Sequence, residues 1–380
     1  MTATYPTPEQ LLAEAVDQAG SSDFGPGDFR EGLEVMVDSL ARDGDLTQAS
    51  ADRTIADVRR RLVNRLEVER WYAEHPEVDD VEVLGPVDIN GLPRTGTTAL
   101  ANMLSLDPQF RCLRRWEQAK PVPPPILEDE ANDPRRDDAL AVIAGYGDIS
   151  EKHIFDIEAS SEDHELLGMA FHGPQFTLPT SNYHQWWRDS DLTDAYAYHR
   201  RVVKLLASRR EPDLWLFKAP HRTFHLEAFL AAYPDTRFVM THRDPVRSVP
   251  SWASIVASIL PEPEHERDLH RLGREASKHL QVSVERSMAA RARIGEDRFL
   301  DVHHRQMILD PMGTVRRIYE WLGYELTSDV EADIARWQVE NRSGAHGTHR
   351  YTAEQYGLTD AQLRADFDEY VRHFDIELEA

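Results

Sequence analysis

A single cysteine, Cys112, in 380 residues leaves no internal disulfide framework and fits a reducing compartment. Its simplest use is as a small buried hydrophobe. No stretch approaches the roughly 18 uninterrupted apolar residues of a membrane span. The opening Met1-Thr2-Ala3-Thr4-Tyr5-Pro6 lacks a basic segment followed by an apolar core. A soluble, cytoplasmic protein without a transmembrane segment is the expectation. Basic residues are scarce too: 43 Lys and Arg stand against 67 Asp and Glu, a net charge of −24. Such a surface disfavours nucleic acid and anionic membranes as partners, so an anionic ligand must be held by a local basic pocket. What the chain does have is 41% hydrophobic residues, enough for one large α/β core with extensions.

The chain is organised around Gly91-Leu92-Pro93-Arg94-Thr95-Gly96-Thr97-Thr98, between Pro86-Val87-Asp88-Ile89-Asn90 and Ala99-Leu100-Ala101-Asn102-Met103-Leu104. This reads as a buried strand, a glycine turn and an amphipathic helix, which aims free backbone N–H groups and a positive dipole end at an anion. Gly91 and Gly96 have the separation of the two P-loop glycines, but Thr97 stands where that loop carries lysine. The basic residue lies inside the turn, at Arg94. A plain strand-to-helix turn would use the same glycines.

Upstream, Thr7-Pro8-Glu9-Gln10 reads as a helix cap, and the segments from Phe29 to Leu40 and from Ile55 to Leu66 carry helical spacing. Residues 1–80 thus read as a helical extension without a chemical motif, a cap on the core or a homodimerisation surface. Downstream, Lys120-Pro121-Val122-Pro123-Pro124-Pro125 marks a surface loop or lid edge. Polar helices are expected over 133–152. Glu162-Asp163-His164-Glu165 gathers carboxylates around a histidine, but Gly168 occupies the position a zinc helix would need for its second histidine, so no metal is expected. The aromatic segment from Phe171 to Trp187, with Phe176, Tyr183 and Trp186, suits a core or an apolar substrate pocket equally.

Strands are expected at Leu214–Phe217, Arg237–Thr241 and Arg298–His303, with helices at 193–208, 224–232, 272–294, 311–322 and 328–340, and one opened by Pro245. Alternating strands and helices call for a parallel sheet, whose strand ends converge on one face. Lys218, His221, Arg243 and the glycine turn would meet there. The expected fold is α/β: a P-loop-like, mainly parallel sheet flanked by helices. We read one domain over 1–380, with the core at 82–342 and a covering loop and tail at 343–380.

Three separated motifs together resemble the sulfotransferases that use 3′-phosphoadenosine 5′-phosphosulfate. Pro93-Arg94-Thr95-Gly96-Thr97-Thr98 is similar to the 5′-phosphosulfate loop in its bacterial Pro-Arg-x-Gly-Thr-Thr form. Phe238-Val239-Met240-Thr241-His242-Arg243-Asp244-Pro245 followed by Ser251 resembles the 3′-phosphate site, where a strand-end arginine and a helical serine grip one phosphate. Arg342-Ser343-Gly344, continuing through Gly347 to Arg350, resembles the late loop that closes over the nucleotide. The resemblance spans roughly Val87 to Tyr351.

It implies a donor site made of Arg94, Thr95, Gly96, Thr97, Thr98, Arg243, Ser251, His304, Arg342, Ser343, Gly344 and Arg350, and a sulfuryl transfer needing one cation and one base. Arg94 is the expected cation. His221, which follows a strand and Lys218, is the expected base, with His164, Glu162 and Asp163 in reserve. Lys218 either assists the sulfate oxygens or is solvated at a strand end. Two departures stand out: Ala99 replaces the adenine-stacking tryptophan, and His304-Arg305-Gln306 replaces Tyr-Glu-Asp after the late strand. The acceptor is expected to be a small or lipid-like alcohol or phenol. A P-loop kinase using ATP with Mg²⁺ and a non-catalytic nucleotide-binding module remain as rivals.

Overall fold

The glycine turn ends the middle strand of a five-stranded sheet. The computed structural model describes residues 4–43, 46–144, 157–174, 181–210, 214–260, 267–341 and 351–379. Its strands are β1 (Leu84–Gly91), β2 (Phe110–Cys112), β3 (Leu214–Lys218), β4 (Arg237–His242) and β5 (Phe299–His303), in the order β2-β3-β1-β4-β5. Every pairing is parallel. The registers Ile89↔Lys218, Gly91↔Thr241 and His242↔His303 bring the carboxyl ends to one edge. The order reverses around β1, which places a crevice beside its end.

Two-residue periodicity sorts the strand side chains. Val87, Ile89, Leu216, Val239 and Val302 pack under the helices Thr97–Leu104, Pro311–Leu322 and Ser328–Glu340. Trp215, Phe217, Phe238, Met240 and Phe299 face a larger core built with the helices Thr193–Ala207, Leu226–Ala232, Pro245–Ile259 and Leu269–Ile294. The N-terminal helices Pro8–Ala19, Arg30–Asp43 and Gln48–Glu74 contribute Leu11, Leu33, Leu62 and Leu66 to that same core. On β1 the second face is polar: Asp88 and Asn90 are fully buried, and Asn90 Nδ2 donates to Asp88 Oδ2 over 2.9 Å.

The expected helices are present where they fall on described residues, several longer than their periodic cores; of the span 133–152, Arg135–Ala144 is helical and 145–152 lies outside the described residues. The third extends to Gln48–Glu74 because its charged residues pair or bury: Arg65 donates to the carbonyl of Phe24 and stacks 3.7 Å from the Tyr198 ring centre. The strand β2 was not foreseen. Its three residues are too few for a periodic signal, and its middle residue is Arg111, buried by an ion pair with Glu117 and by Trp215. Within the tail, residues 358–379 hold two short helices, Asp360–Asp366 and Asp368–His373. No helix among the described residues is long and apolar enough to cross a membrane.

Gly91 has φ +128°, and a Cβ there would lie 2.3 Å from the carbonyl oxygen of Thr241 on β4. Gly91→Ala is therefore expected to destabilise by about 3 kcal/mol or more, as strain and a backbone clash combine. Gly20→Ala, at φ +65° with open space around it, should cost only about 1 kcal/mol. Denaturant unfolding of both variants checks the contrast; equal losses would remove the close approach as the cause.

Burial pushes His221 down to about 4 and His225 down to about 3. The unfolded chain takes up these protons near pH 6.5, so it binds more of them than the folded chain below that value. Stability from these groups is full above pH 6.5 and is lost as pH falls towards 4. Melting curves between pH 7 and 4.5 should show the decline, reduced in His225→Gln; a flat profile would contradict it.

Candidate functional site

At the end of β1 the chain turns through Arg94, itself left-handed at φ +69°, and Gly96 at φ +98°. A non-glycine residue in that region costs roughly 1 kcal/mol or more and persists only where surrounding contacts enforce it. Here the guanidinium is enforced: Arg94 Nε donates to Ser251 Oγ over 3.1 Å. The helix Thr97–Leu104 then starts with no described side chain capping it, leaving its first N–H groups directed at the crevice. Thr95 acts inside the loop. Its hydroxyl, fully buried, donates to the Leu92 carbonyl at 2.6 Å and meets the Thr241 hydroxyl at 2.5 Å. Thr97 is buried and Thr98 half-buried at the helix start.

Arg243 follows β4 and reaches the same place, its Nη1 donating to the Arg94 carbonyl over 3.3 Å. Burial, and also Arg243, push the Arg94 guanidinium down from its ordinary value. Two cations held this close form a natural anion seat. Asp244 fixes the next helix by accepting from the Val246 N–H at 3.0 Å, and two turns into that helix stands Ser251. His304 lies against the loop: a Cβ on Gly96 would sit 3.3 Å from its ring. Burial and then Arg243 hold His304 down at about 4, hence neutral. A cavity of about 390 Å³ opens here, lined by Arg243, Asp244, His304 and residues 375–377 and 379. Glu379, which nothing in the sequence announces, receives both Nε and Nη2 of Arg243, at 2.8 and 3.0 Å.

Beside β3 lies a second assembly. Lys218 Nζ donates to Glu162 Oε1 over 2.8 Å and is buried, so its charge serves that carboxylate. Burial opposes ionisation of Glu162, but Lys218 and then His164 hold it well below the usual carboxylate range. His164 Nε2 lies 3.0 Å from Glu162 Oε2 and 3.1 Å from His221 Nδ1. His221 Nε2 lies 3.2 Å from Asp163 Oδ1, off the line of a good hydrogen bond. Behind this, Arg222 donates to Asp163 Oδ2 and Asp88 Oδ1, both at 2.7 Å. The His221 side chain is 1% exposed and that of His164 35%. His221 is thus sealed, and His164 is the exposed member of the pair.

Glu162, His164 and His221 bring ligand atoms within 4.8 Å of one another. The ammonium of Lys218, already held by Glu162, competes with a cation at this point. The aromatic segment resolves largely into core: Trp187 is fully buried and donates to the His172 carbonyl, while Tyr183 donates to the carbonyls of Phe171 and Gly173. Trp186 instead lines a cavity of about 470 Å³ with His172 and Asp28, Glu31 and Asp191. Arg342, Ser343, Gly344 and Arg350 of the third motif, and Phe176, lie outside the described residues.

The described donor-site residues thus gather at one sheet edge, with His221 after β3 and His164 beside it. Comparison with known proteins gives this arrangement a context. The profile of the sulfotransferase family matches residues 86–329. The structure is similar to that of sulfotransferase STF9 from Mycobacterium avium, at 32% identity over 99% of both chains and a TM-score of 0.87. It is also similar to sulfotransferase STF1 from Mycobacterium tuberculosis H37Rv, at 28% identity over 96% of this chain and 99% of that one, with a TM-score of 0.82. No curated protein matched. From the profile match and the shared P-loop-like fold, the chain belongs to the sulfotransferase family.

Proposed function

We propose that the chain moves the sulfuryl group of 3′-phosphoadenosine 5′-phosphosulfate to an acceptor hydroxyl by in-line displacement. The observation that carries this reading is the convergence of Arg94, Ser251 and Arg243 at an uncapped helix start. Family membership supports the transfer; the donor rests on this cluster. The 3′-phosphate would take the fork of Arg243 with the hydroxyl of Ser251, and the 5′-phosphosulfate the N–H groups of Gly96, Thr97 and Thr98. As the sulfur–oxygen bond to the phosphate breaks, negative charge grows on the departing bridging oxygen. Arg94 stabilises it electrostatically, because a guanidinium does not give up its proton.

The acceptor loses its proton to the histidine pair. The Glu162 carboxylate beside His164 Nε2 favours the proton on that nitrogen, which makes Nδ1 the basic nitrogen of the ring. Glu162, ionised 3.0 Å away, stabilises the imidazolium that forms. His221 positions His164 from behind, taking its own orientation from Asp163. The base assignment thus moves outward from His221 to His164, on exposure alone. Lys218 contributes by keeping Glu162 charged. A small or lipid-like alcohol or phenol as acceptor is favoured by the lack of a basic surface for acidic polymers.

The kinase reading predicts preference for ADP with Mg²⁺. Calorimetry with adenosine 3′,5′-bisphosphate beside ADP should instead show preference for the bisphosphate, weakened about thirtyfold in Arg243→Ala, roughly 2 kcal/mol for a lost charged fork. Mg²⁺-dependent preference for ADP would overturn the donor assignment.

For the base, His164→Ala should lower kcat about 10²- to 10⁴-fold without changing bisphosphate affinity. His221→Asn, which keeps a polar group in the buried position, should lower kcat less. Full activity in His164→Ala would return the role to His221, and bisphosphate binding without any donor turnover in the native chain would favour a non-catalytic module.

A further inference from the structure

The fork of Arg243 that a 3′-phosphate would use is taken by the chain itself. Glu379 spans Nε and Nη2 with its two carboxylate oxygens, at 2.8 and 3.0 Å, the bidentate geometry by which arginine binds both carboxylates and phosphates. Nη1 is engaged by the Arg94 carbonyl. A phosphate arriving at the same edge would meet a carboxylate already in place, and the two anions repel at that distance.

The seat is built, not incidental. The Glu379 N–H donates to Asp244 Oδ2 over 2.8 Å, and its carbonyl accepts from Arg364 Nη2 at 3.3 Å. Glu377 pairs with Arg305, and Ile376 is buried. Upstream, Phe374 stacks on His242 with ring centres 4.1 Å apart, anchoring the segment to the end of β4. The adjoining cavity of about 390 Å³ is lined by the acids Asp244, Asp375, Glu377 and Glu379 beside Arg243, Arg305 and His304. With residues 375–379 in this position the cavity carries too much negative charge to receive a dianion.

Resting on the donor reading above, we infer that residues 375–379 form an internal competitor for the nucleotide, with the Glu379 carboxylate standing in for the 3′-phosphate on Arg243. Donor binding then displaces Glu379, and the apparent affinity is lowered by the fraction of molecules in which the fork is already occupied. The device is selective for one part of the ligand. A nucleotide carrying only a 5′-phosphate does not call on Arg243 and escapes the competition.

The test compares the native chain with Glu379→Gln, which keeps the backbone bond to Asp244 while removing the charge. Calorimetry with adenosine 3′,5′-bisphosphate should show binding about tenfold tighter in the variant, the scale of one charge-assisted fork, and unchanged affinity for adenosine 5′-monophosphate. Deletion of residues 379 and 380 should move bisphosphate affinity in the same direction. In the native chain, amide exchange over 375–379 should quicken when the bisphosphate binds. Equal or weaker bisphosphate binding by Glu379→Gln would overturn the competitor and make Glu379 a support for Arg243, with the donor reading intact. Equal tightening for both nucleotides would also overturn it, as a general loosening of the site. If the native chain and the variant both bind the bisphosphate no better than the monophosphate, the donor reading itself falls.

Discussion

The site depends on a buried charge triad in which Arg222 bridges Asp88 and Asp163. Desolvating three ions is costly, and their mutual pairing offsets part of that cost, although Arg222 Nη1 and Asp163 Oδ1 have no hydrogen-bond partner among the described residues. Each contact here is 2.7 Å, and the guanidinium also lies 3.7 Å from the Phe229 ring centre. Asp88 belongs to the middle strand, Arg222 to the turn after β3, and Asp163 to the segment that carries Glu162 and His164. The triad therefore ties three distant stretches of chain to one point. Its Asp163 is also the group behind His221, so the scaffold and the histidine pair share a carboxylate.

Sharing of that kind explains the ordering of the histidines. His221 is packed between Asp163 and His164, its side chain 1% exposed. Burial keeps it neutral, and its Nδ1 lies 3.1 Å from His164 Nε2. Lys218 plays a similar indirect part, since its charge ends on Glu162.

Much of this was legible in the sequence where local chemistry decides the outcome. The glycine turn, the helix opened by Pro245 and the strands β1, β3, β4 and β5 announce themselves through glycine, proline and apolar spacing, and the parallel order follows from their alternation with helices. Arg94, Ser251 and Arg243 could be named in advance because their spacing within strand-turn-helix units is characteristic. What escaped was whatever depends on pairing across long separations. Asp88 and Arg222 lie 134 residues apart, and Arg243 and Glu379 lie 136 apart. The strand alternation did place Asp88 and Asn90 on one face, a signal for a buried polar layer, but no feature near Glu379 points to an arginine. His164 could be put beside His221 only once the fold had closed.

Asp244 uses its two oxygens for different purposes: Oδ1 holds the Val246 N–H at the start of the helix that bears Ser251, while Oδ2 holds the Glu379 N–H. Because the cap does not use the oxygen that seats the tail, the helix keeps its first turn whether Glu379 is docked or gone. Arg364, 3.8 Å from Oδ2, stands ready to compensate the vacated oxygen. The consequence is mechanical independence: the cap of the Ser251 helix and the seat of Glu379 share one residue without sharing an oxygen.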